Sequence, residues 1–182
     1  MGKSATMEQK TKFAFSVGDA VVYRAEGVCD VVDIRKESFV ANMEGDDYYI
    51  LLPRNDSNSS IYVPVHNERL TALMRPILTR EEILSLIASR SAERLPWPAE
   101  SRARNAIFKE LLSLGDRREL IVLVLTIHEH MVATLAAGKK PGSTETGALS
   151  RACKLLRDEF SLSIPLSNDR DLIALLCGER EI

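Results

Sequence analysis

Acidic pairs and histidines are the residues of this sequence with the most obvious potential for acid–base or metal chemistry. Asp46-Asp47 and Glu81-Glu82 fall in a predicted turn and in the first turn of a predicted helix, where capping and solubility account for carboxylates. His128 and His130 are two residues apart in a predicted helix, so their side chains point to different faces. They therefore lack the i, i+4 spacing with which two histidines bind one zinc ion. GxSxG elbows and glycine-rich phosphate loops do not occur. We therefore expect no catalytic residue, metal site or cofactor, and a protein that is not an enzyme.

Trp97 is the single tryptophan and has a proline on each side. Because proline lacks the amide donor and disfavours helix before it, this segment is predicted to be a junction between helices. Residues 90–118 contain seven basic and four acidic side chains. One hypothesis is an aromatic wedge against an unstacked base step in a minor groove, with phosphates held by nearby arginines. The alternative is a buried tryptophan that fills the interface between two domains.

Residues 13–76 show a pattern of short strands separated by turns. Runs rich in β-branched and aromatic residues are punctuated by Gly18-Asp19, by Glu26-Gly27 and by a turn at residues 44–47. Strands are predicted over residues 20–23, 28–34, 38–43, 48–52 and 61–65. Five short strands in this span predict a small antiparallel β-barrel, since closure removes exposed sheet edges.

After residue 76 the spacing of apolar residues changes from two to nearly four, which indicates helices. Thr79 and Glu82 have the spacing of a capping box, so a helix is predicted to begin there. Later helices are predicted over residues 98–114, 116–137, 148–160 and 169–178, with a flexible loop over residues 139–146. The fold class is therefore predicted to be α+β, with a β-barrel domain at residues 13–76 and an all-α helical domain at residues 77–182.

The net charge of −2 is unevenly distributed along the chain. Residues 13–76 carry 6 basic and 10 acidic side chains, while residues 77–182 carry 15 of each sign. Electrostatic binding to nucleic acid scales with the number of phosphates that lysine and arginine neutralise. We therefore expect weak binding to naked DNA and a requirement for a protein partner.

Three cysteines, Cys29, Cys153 and Cys177, lack the spacing of a metal or redox motif and are predicted to be small buried side chains in a reducing compartment. The sequence has no run of 18 apolar residues, and its N-terminus has no apolar signal core. We therefore expect no membrane insertion and a cytoplasmic location.

Five features occur in an order that resembles the CarD family of bacterial transcription regulators. The first is the opening Phe15-x-x-Gly18-Asp19-Ala20-Val21-Val22-Tyr23-x-x-x-Gly27-Val28. The others are Tyr48-Tyr49-x-Leu51, Ile61-Tyr62-Val63-Pro64-Val65, the junction of Trp97 and arginines, and the Leu114-Gly115-Asp116 break. The resemblance extends roughly over residues 13–160.

This resemblance implies a Tudor-like barrel, also found in transcription-repair coupling factors, that docks on the β-subunit lobe of RNA polymerase. It also implies a helical domain that contacts promoter DNA, with Trp97 at the minor groove of the upstream bubble edge, where it stabilises the open complex. The candidates for further DNA contacts are Arg94, Arg102 and Arg104. The candidates for polymerase contacts are Arg24, Arg35 and Tyr62.

On this interpretation the protein is a nucleoid-associated transcription regulator. The acidic charge of the barrel is compatible with docking by strand addition, which uses main-chain hydrogen bonds. The alternative is an interaction module that binds another protein partner and makes no contact with DNA.

Overall fold

The computed structural model describes residues 13–39, 44–56 and 58–180. The chain divides into two compact units, one ending at Pro76 and the other beginning at Ile77. The first unit contains a β-sheet and the second contains helices. The fold class is therefore α+β, as predicted.

The N-terminal unit is an antiparallel sheet of five strands in the order β4-β3-β2-β1-β5. The strands are β1 (Ala20–Tyr23), β2 (Val28–Glu37), β3 (Asp46–Pro53), β4 (Ile61–Pro64) and β5 (Met74–Pro76). A short helix, α1 (Glu68–Thr71), precedes β5 and is capped by the side chain of Asn67. β1, β2 and β3 each pair with the next strand in the sequence. Among the described strands, β5 and β1 form the pair that is not consecutive in sequence.

The sheet is not closed into the predicted Tudor-like barrel. Within the described residues, β4 and β5 are its two edges and do not pair with each other. Both edge strands are short and end in a proline, Pro64 or Pro76, which lacks the amide donor that a further ladder would need. A short edge that ends in proline limits pairing with a further strand to the few residues before the proline, even without closure.

Two of the predicted strands differ from the structure. The strand predicted at residues 38–43 is not found in its described part, because Ser38 and Phe39 lie outside any strand; residues 40–43 lie outside the described residues. β2 instead continues to Glu37, with an irregularity in its pairing between Val31 and Asp33. The fifth strand is β5, whose three residues are too few for an alternating pattern to be recognised.

The core of the sheet unit is formed by one face of the strands. Its members are apolar and almost inaccessible, including Val21, Cys29, Val31, Leu51 and Val63. Tyr49 also lies in this core, and the rings of Phe13 and Phe15 contact its ring edge-on. Because side chains alternate along a strand, Tyr48 and Ile50 point to the opposite face.

The C-terminal unit contains α2 (Arg80–Arg90), α3 (Ser101–Leu114), α4 (Arg117–Ala136), α5 (Ser143–Phe160) and α6 (Asp169–Leu176). The predicted capping box is confirmed, with Thr79 N donating to Glu82 and Glu82 N donating to Thr79 Oγ1. Gly115 ends α3 in a left-handed conformation with φ of 62°, which glycine adopts without steric cost.

Two helix starts differ from the prediction. α3 begins at Ser101 rather than at residue 98, since the prolines around Trp97 keep the preceding segment extended. α5 begins at Ser143, so its first turn occupies part of the predicted loop at residues 139–146. That turn is polar, and it therefore carries no apolar periodicity that could identify it.

α4 is the central helix of this unit. Leu120, Ile121, Leu123, Val124 and Ile127 are among its buried residues, and α2, α3, α5 and α6 pack around it. By length and composition alone the helix could cross a membrane. The N-terminal half of α4 is buried among the other helices. A helix in the core of a helical unit is apolar on all sides, and this position accounts for the apolar composition of α4.

Candidate functional site

The junction between α2 and α3 is attached to one face of α4. The backbone N–H of Leu95 donates to Thr126 Oγ1 at 2.9 Å, and Arg94 Nε donates to Glu129 Oε2 at 2.6 Å. The hydrogen bond from Arg94 lowers the pKa of the Glu129 carboxyl. The guanidinium of Arg94 therefore has a carboxylate partner within the protein.

Trp97 lies next along this junction and is half-buried. Its ring stacks on the imidazole of His130, with centroids 3.8 Å apart and planes inclined by 10°. A tilted contact with Phe108 has a centroid distance of 5.9 Å. The guanidinium carbon of Arg104 is 5.2 Å from the centroid of the indole, within range of a cation–π interaction. Trp97 is thus held by aromatic and cationic neighbours.

Arg104 also fixes the backbone of the junction. Its guanidinium donates to the carbonyl oxygens of Pro98 and Ala99 at 2.8 Å each. It forms an ion pair with Glu145 at 3.0 Å, and the two side chains are only 15% and 12% exposed. Arg104 is therefore engaged in supporting Trp97 rather than open to a phosphate.

Arg102 differs from the other two predicted DNA-contacting arginines. It is exposed on the first turn of α3. No ion pair is found for it among the residues that the structure describes. The three predicted arginines therefore have different environments, and only Arg102 combines exposure with the absence of a carboxylate partner in the described part of the chain.

A cavity of about 420 Å³ lies beside Trp97. Arg104, His130 and Thr134 contribute to its lining, as do residues at the start of α5 that include Glu145. His130 was not predicted to have a role, because its stacking on Trp97 is a contact between residues distant in sequence. The sequence carries no local signal for this contact.

The cysteines provide no reactive group beside Trp97. Cys29 and Cys153 are buried, and burial raises the pKa of each thiol to about 12. Cys177 is exposed, contrary to the prediction that all three cysteines are buried, because it follows the last residue of α6. Burial also raises the pKa of its thiol, so the thiolate nucleophile is disfavoured at all three positions.

Two of the predicted polymerase contacts lie on the same face of the sheet. Arg35 is opposite Tyr48, and Tyr62 is opposite Ile50. Residues opposite each other share a face, as do alternate residues of one strand. Arg24 follows β1 with φ of 48°, at the other end of β2 from Arg35. The structure therefore brings Arg35 and Tyr62 together and leaves Arg24 apart.

An aromatic cluster covers part of this face. It consists of Phe39, Tyr48 and Tyr62, whose rings meet edge-on with centroids 5.3 to 6.5 Å apart. Phe39 is 64% exposed and Tyr62 is 38% exposed. Clustered exposed aromatic side chains beside an edge strand are typical of a surface that binds another protein.

Arg35 is at the border of the aromatic cluster, and acidic neighbours compensate its charge. Its guanidinium contacts Glu37 at 2.6 Å and Asp33 at 3.1 Å. These hydrogen bonds, with Glu37 making the larger contribution, raise the pKa of Arg35. This face therefore exposes aromatic rings and a guanidinium whose charge is compensated.

The N-terminal unit also matches a known domain family. Residues 15–78 match the model of a family described as the CarD-like/TRCF RID domain, which is an RNA polymerase-interacting domain. The match includes all five strands and α1, and it confirms the CarD-like resemblance that the sequence indicates. The helical unit begins near the end of the match, and its helices agree with the predicted all-α C-terminal part. No individual curated protein matches the sequence.

Replacing His130 by alanine is expected to loosen Trp97 without unfolding the helical unit. An aromatic pair contributes about 0.5–1.5 kcal/mol beyond burial, so the loss of stability should lie in that range. Trp97 is the single tryptophan, and its fluorescence therefore reports on this site alone. We expect emission at longer wavelength and stronger quenching by acrylamide. His128→Ala is the matched control, and equal quenching in both variants would contradict a specific role of His130.

Proposed function

We propose that this chain is a transcription regulator that binds RNA polymerase through its N-terminal sheet and promoter DNA through its helical unit. On this proposal it docks on the β-subunit lobe and stabilises the open complex. It acts as a binding protein rather than as an enzyme, in the bacterial cytoplasm at the nucleoid. The match of residues 15–78 to an RNA polymerase-interacting domain is the observation that carries the proposal.

The aromatic cluster and the adjacent edge strand β4 support docking through this part of the sheet. Edge addition uses main-chain groups and is therefore tolerant of the acidic charge of the unit. Tyr62 lies on β4 itself and is partly exposed, so it can contact a polymerase strand laid along this edge. Tyrosine is enriched among the residues that dominate binding energy at protein interfaces.

For the DNA half of the proposal, we assign Trp97 to the upstream edge of the promoter bubble. Insertion at a base step requires the indole to exchange its stack on His130 for a stack on a base. A protein aromatic pair contributes about 0.5–1.5 kcal/mol, whereas stacking on a base contributes about 1–3 kcal/mol. The difference between these ranges runs from about 0.5 kcal/mol against the exchange to about 2.5 kcal/mol in its favour, so the stack on His130 is not a barrier to insertion.

A second candidate function is binding to a protein partner without contact to DNA. The observation that favours it is the pairing of Arg94 with Glu129 and of Arg104 with Glu145. Cations already paired with carboxylates contribute little to the capture of phosphates. On this alternative Trp97 and Arg104 only stabilise the helical unit.

Tyr62→Ala in the full chain is expected to weaken binding to bacterial core RNA polymerase by about 5- to 30-fold, which corresponds to a loss of roughly 1–2 kcal/mol at an interface hot spot. Binding can be measured by bio-layer interferometry with immobilised polymerase. Tyr62→Phe is the matched control, because it keeps the ring contacts with Phe39 and Tyr48. Arg24→Ala tests whether the other end of β2 also contacts polymerase. Unchanged affinity for Tyr62→Ala would exclude this face of the sheet as the polymerase-binding surface. No binding by the wild-type chain would refute the proposed function.

A further inference from the structure

The imidazole of His130 interacts with the rest of the helical unit mainly through its stack on Trp97. The two rings are inclined by 10°, with centroids 3.8 Å apart. Among the residues that the structure describes, no hydrogen bond or ion pair is found for either imidazole nitrogen. His66, by contrast, faces the carboxylate of Asp47 at 3.9 Å. A change in the charge of His130 would therefore act first on the stack.

The backbone of His130 is fixed on α4, while its ring remains accessible to protons. Its carbonyl oxygen accepts a hydrogen bond from Thr134 Oγ1 at 2.7 Å. The residue is half-buried and lines the cavity of about 420 Å³ beside Trp97. Protonation of the imidazole therefore requires no unfolding of the helix.

The charged groups beside the stack compensate one another. Arg104 of α3 and Glu145 of α5 line the same cavity and form an ion pair at 3.0 Å. Glu129 precedes His130 on α4 and pairs with Arg94 of the junction at 2.6 Å. The hydrogen bond and charge of Arg94, with a smaller contribution from His130, lower the pKa of the Glu129 carboxyl. A proton on His130 therefore adds one positive charge to surroundings that are neutral in sum.

The charged groups of the other two helices that pack on α4 are also compensated. Arg90 at the end of α2 pairs with Glu93 and Glu119. Cys177, which follows α6, is a neutral thiol because burial raises its pKa. The carboxylates in the first turn of α6 each pair with an arginine, as Asp169 with Arg157 and Asp171 with Arg180. The proton on His130 is therefore the variable charge beside Trp97.

Histidine is the side chain whose charge ordinarily changes between about pH 5 and pH 8. An imidazolium on the face of an indole gains a cation–π attraction that a neutral imidazole lacks, and the gain is larger where the pair is partly desolvated. We infer that His130 is a positioning residue for Trp97 and that protonation of His130 strengthens their stack. The added attraction is present where the imidazole is protonated and is lost as the pH rises.

The consequence for DNA rests on the proposed function, in which the indole leaves His130 and stacks at the edge of the promoter bubble. A stronger stack on His130 opposes that exchange. The chain should therefore stabilise the open complex less well in mildly acidic than in mildly alkaline solution. The stack thus makes the assigned DNA contact of Trp97 dependent on pH.

The first test measures the accessibility of Trp97 in the full chain without DNA. Trp97 is the single tryptophan, so acrylamide quenching of the fluorescence lifetime reports on this residue alone. Lifetimes, rather than intensities, separate acrylamide quenching from quenching of the indole by the imidazolium itself. Between about pH 8 and about pH 6 the quenching rate constant should fall by about 2-fold or more, the lower end of the effect of a cation–π attraction.

Two variants separate the charge of His130 from its ring. His130→Phe keeps an aromatic ring for the stack but cannot be protonated, so its quenching rate constant should not depend on pH. His128→Phe is the matched control, because it makes the same change at the other histidine of α4, and it should keep the pH dependence of the wild type. Thermal melting at both pH values checks that each variant is folded.

The second test compares the wild-type chain with His130→Phe on the open promoter complex. The measurement is the lifetime of the complex with bacterial RNA polymerase after addition of heparin. The ratio of variant to wild-type lifetime is taken at each pH, so that effects of pH on the polymerase cancel. This ratio should rise by about 2-fold or more between about pH 8 and about pH 6.

The outcomes distinguish failure of the inference from failure of the proposed function. Wild-type quenching that does not change with pH, or that changes equally in His130→Phe, would overturn the inference and leave the proposed function intact. Quenching that depends on both pH and His130, in a chain that does not alter the open complex, would support the stack and refute the proposed function. A constant lifetime ratio, in a chain that does prolong the open complex, would overturn the link between the stack and DNA.

Discussion

Replacing Trp97 by alanine is expected to destabilise the open promoter complex relative to the wild-type chain. If the indole stabilises the open bubble selectively, its removal loses a coupling free energy of about 1–3 kcal/mol, which is roughly 5- to 150-fold in the closed–open equilibrium. Because Trp97 belongs to the helical unit, binding to polymerase through the sheet should remain. The measurement is the lifetime of the open complex after addition of heparin, at saturating concentrations of each variant.

Alanine at position 97 also removes packing on His130 and Phe108, so its folding must be checked separately. Truncation of a fully buried aromatic side chain costs about 3–5 kcal/mol, and a half-buried one costs less. Trp97→Phe keeps a ring for both contacts but presents a smaller wedge, and it separates loss of packing from loss of insertion. A short lifetime for both variants supports the wedge, provided that Trp97→Phe melts near the wild-type temperature and Trp97→Ala is still folded at the assay temperature. A wild-type lifetime for a folded Trp97→Ala protein would support the interaction module instead.

Features that depend on neighbours in sequence were predicted well from the sequence. The capping box of Thr79 and Glu82 requires only four consecutive residues and was found as predicted. The end of α3 at Gly115 likewise depends on the local freedom of glycine to adopt a left-handed conformation. Strands β1 and β3 were located because each contains a short run of β-branched, aromatic and other apolar residues that follows turn residues.

Features that depend on distant contacts were not predictable in the same way. The three residues of β5 become a strand only because β1 offers a partner, with Val22 opposite Arg75. The sheet was predicted to close, but strand length and proline at its edges leave it open. These properties belong to pairing between segments rather than to any one segment.

The site around Trp97 shows the same distinction. The tryptophan and its arginines were identifiable by residue type, but their partners were not. The stack of Trp97 on His130 joins the junction to α4, and the ion pair between Arg104 and Glu145 joins α3 to α5. Residues 90–118 have an excess of basic side chains, but ion pairs within the protein engage Arg94 and Arg104. Of the three predicted DNA-contacting arginines, Arg102 is the one that is exposed without an ion pair in the described part of the chain.

Breaking the buried ion pair between Arg117 and Glu159 is expected to be the most destabilising single change in the helical unit. The two residues are 8% and 3% exposed, and their side chains join α4 to α5. Each is unfavourably placed with respect to its helix dipole, since Arg117 begins α4 and Glu159 is next to the last residue of α5. The ion pair offsets both unfavourable placements. Glu159→Leu should lower the free energy of unfolding by about 3–5 kcal/mol, because it removes the carboxylate that faces a buried guanidinium.

The double variant Arg117→Met/Glu159→Leu separates two contributions to the free energy of unfolding. One is the cost of burying a charge whose partner has been removed, and the other is the net stabilisation by the intact ion pair. Replacement of both partners by apolar side chains removes two desolvation penalties together, so the double variant should be more stable than either single variant. Urea unfolding followed by the fluorescence of Trp97 reports on the helical unit directly, without assuming that both units unfold in one step. Additive losses in the double variant would contradict this account, because they would mean that the two side chains stabilise the unit through separate contacts. A double variant that loses less stability than the sum of the two single variants would show that Arg117 and Glu159 act mainly by neutralising each other.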